Sequence, residues 1–173
     1  MKDVHRRAEE DMGIIEKIAS FIPGFSGYLS RERRRDSDKI QREFIAKALE
    51  ENKGFLDEVI QEAASEGMLE ILDDLDRLKK KIDKTSSRIR HADYGYSGFF
   101  DAVKIREGDL ATLHRFDLDM VSAVREATDR MKSLPAAAGD EPAMKAGAKA
   151  CARVLDDLDK KFSDREAIIM GVK

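Results

Sequence analysis

A heptad pattern in the middle of the chain most limits the folds open to this sequence. Between residues 68 and 89, core-type side chains recur at alternating spacings of three and four, at Met68, Ile71, Leu75, Leu78, Ile82, Thr85 and Ile89. Three heptads of this kind are typical of a helix that packs along one seam in a bundle or coiled coil. The pattern therefore predicts an α-helix that needs partner helices of similar length.

Two later segments repeat this rhythm and supply such partners. A helix over about residues 107–134 has its seam at Leu110, Leu113, Asp117, Met120, Val124, Ala127, Met131 and Leu134. A helix over about residues 143–170 has its seam at Met144, Ala148, Cys151, Leu155, Leu158 and Phe162. Both patterns indicate helices with one buried face.

Two helical segments precede the heptads. Residues 5–21 place Ile14, Ile15, Ile18 and Phe21 on one side, and Pro23 ends this short amphipathic helix. A long helix is expected over about residues 29–66, ending at Gly67, with an apolar stripe at Ile40, Phe44, Ala48, Leu56, Val59, Ile60 and Ala63. Gly54 lies inside it, either as a tolerated glycine or as a hairpin turn.

These segments predict an all-α fold, an antiparallel bundle of long helices resembling a four-helix bundle with a short N-terminal helix. We expect a single domain over residues 1–173, with a short amphipathic helix at 1–22, core helices at 29–134, a linker at 135–142 and a C-terminal helix at 143–170. In the linker, Asp140 is the expected N-cap of the last helix and Pro142 lies in its first turn.

Composition narrows the class of function. The chain is 39% charged with a net charge of −3, so its overall charge does not attract nucleic acid. The single cysteine, Cys151, excludes an internal disulfide and favours a cytoplasmic location. We expect neither a secretory signal nor a membrane-spanning segment, because acids precede the first apolar run and no apolar stretch is long enough.

Two loops share the pattern Gly-aromatic-Ser-Gly-aromatic, GFSGY at residues 24–28 and GYSGF at residues 95–99. If the helices on either side of Gly67 are antiparallel, position 95 lies opposite position 38. The second loop, the first loop and the basic run RERRRDSDK at residues 31–39 should then meet at one end of the bundle. This end also receives the start of the fourth helix and the end of the fifth.

The loops have two readings. In the favoured one, their aromatic side chains close the open end of the bundle. In the other, Tyr28, Tyr94, Tyr96 and Phe99 line a ligand or partner pocket. Neither loop matches a phosphate-binding glycine motif.

The arginines at this end of the bundle need nearby negative charge to offset an unfavourable position. Arg31, Arg33, Arg34 and Arg35 stand in the first turns of a helix, where the dipole disfavours cations. The basic run could bind phosphate, RNA or acidic lipid. Its interleaved acids favour an internal ion-pair network instead.

Asp117 occupies a seam position that should be apolar, so it needs a partner. We expect Arg34, Arg35 or Arg90 to pair with it; a catalytic carboxylate is the less favoured reading. His114 lies three residues earlier on the same helix face, as half of a metal site or, more commonly, an ordinary surface pair. No metal or cofactor is expected, and Cys151 should be an inert core thiol.

The segments IPGFSGYLSRERRRDSDK and SRIRHADYGYSGFFDAVKI resemble a family of uncharacterised prokaryotic helical proteins. In that family a Pro-Gly-aromatic-x-Gly-Tyr segment and an Arg-Arg-x-x-Asp-Lys run precede a long hairpin and an aromatic Gly-Tyr loop. The resemblance covers residues 15–120. It implies a helical fold and no chemistry.

Three functions follow as expectations. The first is a non-enzymatic interaction or scaffold module that binds a protein partner or itself. The second is a small-ligand or anion site, with candidate residues Tyr28, Arg33, Arg34, Arg35, Tyr94, Tyr96, Phe99 and Asp117. The third is a peripheral membrane protein that uses its first helix, whose mixed charges favour packing onto the bundle instead.

Overall fold

The structure, a computed structural model, describes residues 2–92, 96–134 and 139–171, and these residues form six α-helices. The helices are α1 (Lys2–Phe21), α2 (Arg34–Ser65), α3 (Leu69–Arg90), α4 (Ser97–Phe100), α5 (Glu107–Ser133) and α6 (Glu141–Ile169). A turn of 3₁₀ helix at Arg31–Arg33 leads into α2. The described residues form no strand. The all-α prediction is therefore confirmed.

Four long helices form the bundle. α2 packs against α3 and α5, and α6 packs against α3 and α5, so α3 and α5 stand on opposite corners. The pairs α2–α3 and α5–α6 are antiparallel hairpins. Neighbours from different hairpins run parallel: Lys81 and Arg88 of α3 pair with Asp156 and Asp159 of α6.

This arrangement explains the long connection between α3 and α5. Because these helices are diagonal, their connection passes over the end of the bundle, where its described residues 96–106 lie. The short helix α4 lies on that crossing, and its Phe100 is buried. The aromatic loop is thus placed over the open end by the connectivity of the hairpins.

The three predicted heptad seams form the core. Every seam residue from Met68 to Ile89, from Leu110 to Leu134 and from Met144 to Phe162 is buried. Cys151 lies among them, and burial raises the pKa of its thiol to about 11. A protonated thiol inside an apolar seam agrees with the predicted inert core residue.

The apolar stripe predicted for α2 was partly wrong. Ile40, Phe44, Ala48 and Ile60 are only half-buried flanks, and the central face of the helix carries other residues. That face is occupied by Asp38, Gln41, Ile45, Leu49, Asn52, Leu56, Val59 and Ala63. Three of these side chains are polar. Because the prediction relied on the spacing of apolar residues, it assigned the buried face of α2 to residues on one side of the true face.

The turns agree with the glycine signals. α2 continues through Gly54 without a break, so that glycine is not a hairpin turn. The reversal lies at Gly67, where φ is +75°, a left-handed conformation that favours glycine. At the start of α6, the Asp140 side chain accepts a hydrogen bond from the Ala143 N–H at 3.0 Å, as predicted.

The N-terminal helix is an outer layer on α5. Its Ile15 and Ile18 are buried against the bundle. The Arg125 guanidinium lies over the Phe21 ring, 4.1 Å from its centroid. The apolar face that could have met a lipid surface is used in packing.

Two glycines give a matched stability test. Gly27 has φ +71°, and an added Cβ would lie 2.9 Å from both His114 Nε2 and Ile15 Cδ1. Gly27→Ala should therefore destabilise the fold by at least about 1–2 kcal/mol. Gly54→Ala meets nothing within 4 Å in mid-helix and should stabilise by about 0.5–1 kcal/mol. Urea denaturation measures both, and equal effects of the two substitutions would contradict the assignment.

Candidate functional site at the arginine pole

The arginine pole is the end of the bundle formed by residues 24–35, residues 96–106 and the last turn of α6. Arg34 joins its two loops, because its Nε donates to the Tyr28 carbonyl and its Nη1 donates to the Ala102 carbonyl, both at 2.8 Å. Arg35 pairs with Asp101 across the surface. The described parts of both loops therefore meet at the end of the bundle predicted from the antiparallel pairing of the helices around Gly67.

A buried chain of polar groups lies beneath these loops. Arg165 of α6 donates from Nε to Asp117 of α5 at 2.6 Å and from Nη2 to Asp38 of α2 at 2.7 Å. The Tyr28 hydroxyl donates to Asp117 and accepts from Arg165 Nη2 at 3.0 Å. Asp38 also accepts from Arg42 Nε at 2.9 Å. Two cations and two carboxylates alternate, so this buried network is electrically balanced.

Arg42 connects the network to the remaining bundle helix. Its Nη1 donates to the carbonyls of Ile89 at 3.3 Å and Arg90 at 2.6 Å, at the C-terminal end of α3. A cation at this position satisfies carbonyls that lack helical partners and complements the helix dipole. One hydrogen-bonded system thereby joins all four long helices.

His114 ties the N-terminal helix to the same end. Its Nε2 accepts from the Tyr28 N–H at 3.0 Å, so the ring proton lies on Nδ1. Nδ1 then donates to the Asp11 carboxylate of α1 at 2.8 Å. The predicted surface pair of His114 and Asp117 is wrong, since both side chains are fully buried.

Aromatic rings close the end of the bundle around Tyr28. Its ring stacks on His114 at 5.2 Å and on Phe100 at 5.6 Å between centroids. Phe25 meets it edge-on. The described aromatic side chains of the loops thus pack over the end of the bundle. This is the arrangement that the sequence analysis favoured over a pocket.

Tyr96 bridges the cap to α6. Its ring is buried beside Phe100, its hydroxyl donates to Glu166 Oε1 at 3.0 Å, and the Arg42 guanidinium lies 5.9 Å from its centroid. Phe99 is half-buried on the outer side of the cap, and Arg33 is exposed. Tyr94 lies outside the described residues, so its predicted role stays a prediction.

The partner predicted for Asp117 was wrong. Arg34 and Arg35 bond to loop carbonyls and to Asp101, and Arg90 pairs with Glu50. Arg165 takes the position instead. A signal for it exists in the sequence, because residue 165 is the next step of the three-four rhythm after Leu158 and Phe162.

Electrostatics agree with a structural network. Burial raises the pKa of Asp117, opposed by Arg165 and the Tyr28 hydroxyl. Burial acts to lower the pKa of Arg165, but Asp117, Tyr28 and Asp38 together raise it well above its ordinary value. The pKa values of Tyr28 and Tyr96 are also raised, chiefly by burial.

A few buried polar atoms have no protein partner among the described residues. They are Arg165 Nη1, Gln41 Oε1 and both amide atoms of Asn52. Gln41 and Asn52 lie on the central face of α2, where a buried amide fixes helix register at a cost in stability. They belong to the specification of the bundle.

The outer surface of the arginine pole differs from its interior. A groove of about 470 Å³ runs between the crossing loop and the end of α6, with Phe99, Ala102, Ile105 and Ile168 among its lining residues. Leu29 and Val103 are exposed near Arg34, and Val103 is 75% exposed. Arg34 lies close to both, because it donates to the carbonyl of the residue that precedes each of them in the chain. These two side chains are exposed hydrophobic residues in a surface that is otherwise rich in charge.

Within the described residues, no group of three His, Cys, Asp or Glu side chains could hold a metal ion. No described helix is both long and apolar enough to cross a membrane.

No family model matches the sequence, and neither a curated protein nor a solved structure was found to resemble it. The resemblance to a prokaryotic helical family accordingly stays a prediction.

We expect Arg165→Met to destabilise the protein by about 3–5 kcal/mol, since two buried carboxylates would lose their shared cation. Arg35→Met removes only an exposed pair and should change the free energy of unfolding little. Adding Asp117→Asn to Arg165→Met should recover part of the loss. Urea denaturation compares the three, and an Arg165→Met variant as stable as wild type would refute the assigned role.

Alkaline titration gives an independent test of the cap. Because folding raises the pKa of Tyr28 and Tyr96 above the unfolded value of about 10, their contribution to stability is complete below that pH and is lost as pH rises further. Native protein should show delayed tyrosinate absorbance that becomes ordinary in urea. Tyr96→Phe should remove one delayed component; ordinary titration of every tyrosine in the native protein would contradict burial of the cap.

Proposed function

We propose that this chain is a non-enzymatic helical interaction module that self-associates through the outer surface of the arginine pole. The observation that carries the proposal is the contrast between a closed interior and an open surface at that pole. Inside, Tyr28, Arg34, Asp117 and Arg165 bond to one another and to the backbone. Outside, Leu29 and Val103 face solvent, and the groove beside Ala102 and Lys104 is lined by both apolar and charged residues.

The interior argues against chemistry on a substrate. A catalytic carboxylate needs access to a reacting group, and Asp117 is fully buried between Arg165 and Tyr28. Its charge is already compensated. The small-ligand alternative has less support for the same reason, since the predicted ligand residues Tyr28, Arg34 and Asp117 are occupied within the fold.

The surface argues for a protein partner. Exposed aliphatic side chains flanked by Arg31, Arg33 and Lys104 combine apolar area with a polar rim, the composition common at interfaces. A peripheral membrane role has less support, because Ile15 and Ile18 of α1 are packed on α5. The buried free thiol of Cys151 is consistent with a cytoplasmic setting.

Self-association at this surface can be tested directly. Wild-type protein should show a mass that rises with concentration from the micromolar to the millimolar range in sedimentation equilibrium. Val103→Glu should weaken the association by about tenfold or more, equivalent to about 1.4 kcal/mol. Met12→Glu changes an exposed hydrophobic residue on α1 and serves as the matched control. A wild-type protein that stays monomeric throughout would refute self-association.

A further inference from the structure

The two ends of the bundle carry opposite charge. At the arginine pole, residues 24–35 and 96–106 contain six arginines and lysines and two acids, Glu32 and Asp101. At the other end, residues 61–74 contain Glu62, Glu66, Glu70, Asp73 and Asp74 and no lysine or arginine. We name this second end, formed by the α2–α3 turn and the start of α6, the acidic pole.

The acidic pole also has an exposed apolar residue and a groove. Leu69, the first residue of α3, is 71% exposed, whereas the preceding Met68 is buried in the core. Beside Leu69 lies a groove of about 570 Å³ lined by Gly67, Leu69, Glu70, Glu141, Pro142 and Lys145. Leu69 therefore has no role in the interior and stands in an acidic surface.

We infer that the partner of the arginine pole is the acidic pole of a second copy of this chain. Val103 and Leu29 would pack against Leu69 and its groove, while the exposed side chains of Arg31, Arg33 and Lys104 would face Glu66, Glu70 and Glu141. This inference rests on the proposed function and specifies which surface completes the contact. Charge complementarity decides between the alternatives, because contacts between two arginine poles or two acidic poles juxtapose like charges.

Such a contact is heterologous, because it joins two different surfaces. Since the two poles lie at opposite ends of the bundle, copies joined head to tail extend in a line, and the assembly keeps one free pole at each of its ends. α2 runs from one pole to the other over 32 residues, which gives about 48 Å at 1.5 Å per residue. Each added copy should lengthen the particle by about that distance, and added salt should weaken the association.

Complementary variants test this geometry. Val103→Glu places an acid opposite the acidic pole, and Leu69→Lys places a base opposite the arginine pole. Both residues are highly exposed, so the fold should be retained, as circular dichroism can verify. Each variant alone should associate about tenfold or more weakly than wild type in sedimentation velocity. A mixture of the two, with one fluorescently labelled, should regain association through the intact arginine pole of one chain and the intact acidic pole of the other.

The controls separate this inference from the proposed function. Met12→Lys introduces the same charge as Leu69→Lys on α1 and should associate like wild type. If Leu69→Lys associates as wild type while Val103→Glu does not, the arginine poles contact each other; the head-to-tail inference is then overturned and self-association stands. If both variants are weak and their mixture does not recover, the inference is also overturned. Monomeric wild type would instead refute the proposed function itself.

Discussion

The fold depends on one buried cation. The guanidinium of Arg165 lies between the carboxylates of Asp117 and Asp38, and the Tyr28 hydroxyl completes the arrangement. An isolated charge in this position would be far too costly, and removing one member leaves its partners uncompensated. Because the participating side chains come from α2, α5, α6 and the loop before α2, the network bonds these elements to one another at a single point.

Because the side chains of this network bond to one another, the part of this end that a partner could contact is its outer surface. Residues 96–106 lie over the end of the bundle because α3 and α5 are diagonal, and the aromatic rings of this segment and of the first loop fill the space above Arg165. Arg34 then uses its donors on loop carbonyls. What remains available to a partner is the outer surface of the cap, where Leu29 and Val103 meet solvent.

Sequence reasoning succeeded where the signal was local and periodic. The heptads of α3, α5 and α6 identified the buried residues of those helices because each seam repeats an apolar side chain at the helical period. It failed on α2, whose central face carries Asp38, Gln41 and Asn52. It also chose the wrong partner for Asp117. Several arginines are expected at this end of the bundle, and the sequence does not show which of them lies on the helix next to Asp117.

The sequence by itself determined the five longer helices, the seams of α3, α5 and α6, the reversal at Gly67 and the meeting of the described parts of both glycine-aromatic loops at one end, since these follow from local periodicity, turn chemistry and chain length. Only the tertiary structure decided that the two hairpins pack with parallel neighbours and that Arg165, one step beyond the last apolar seam residue, holds Asp117 and Asp38 together. The reason is physical: the choice of neighbouring helix depends on contacts between residues 48 to 127 positions apart, and such contacts leave no period in the sequence.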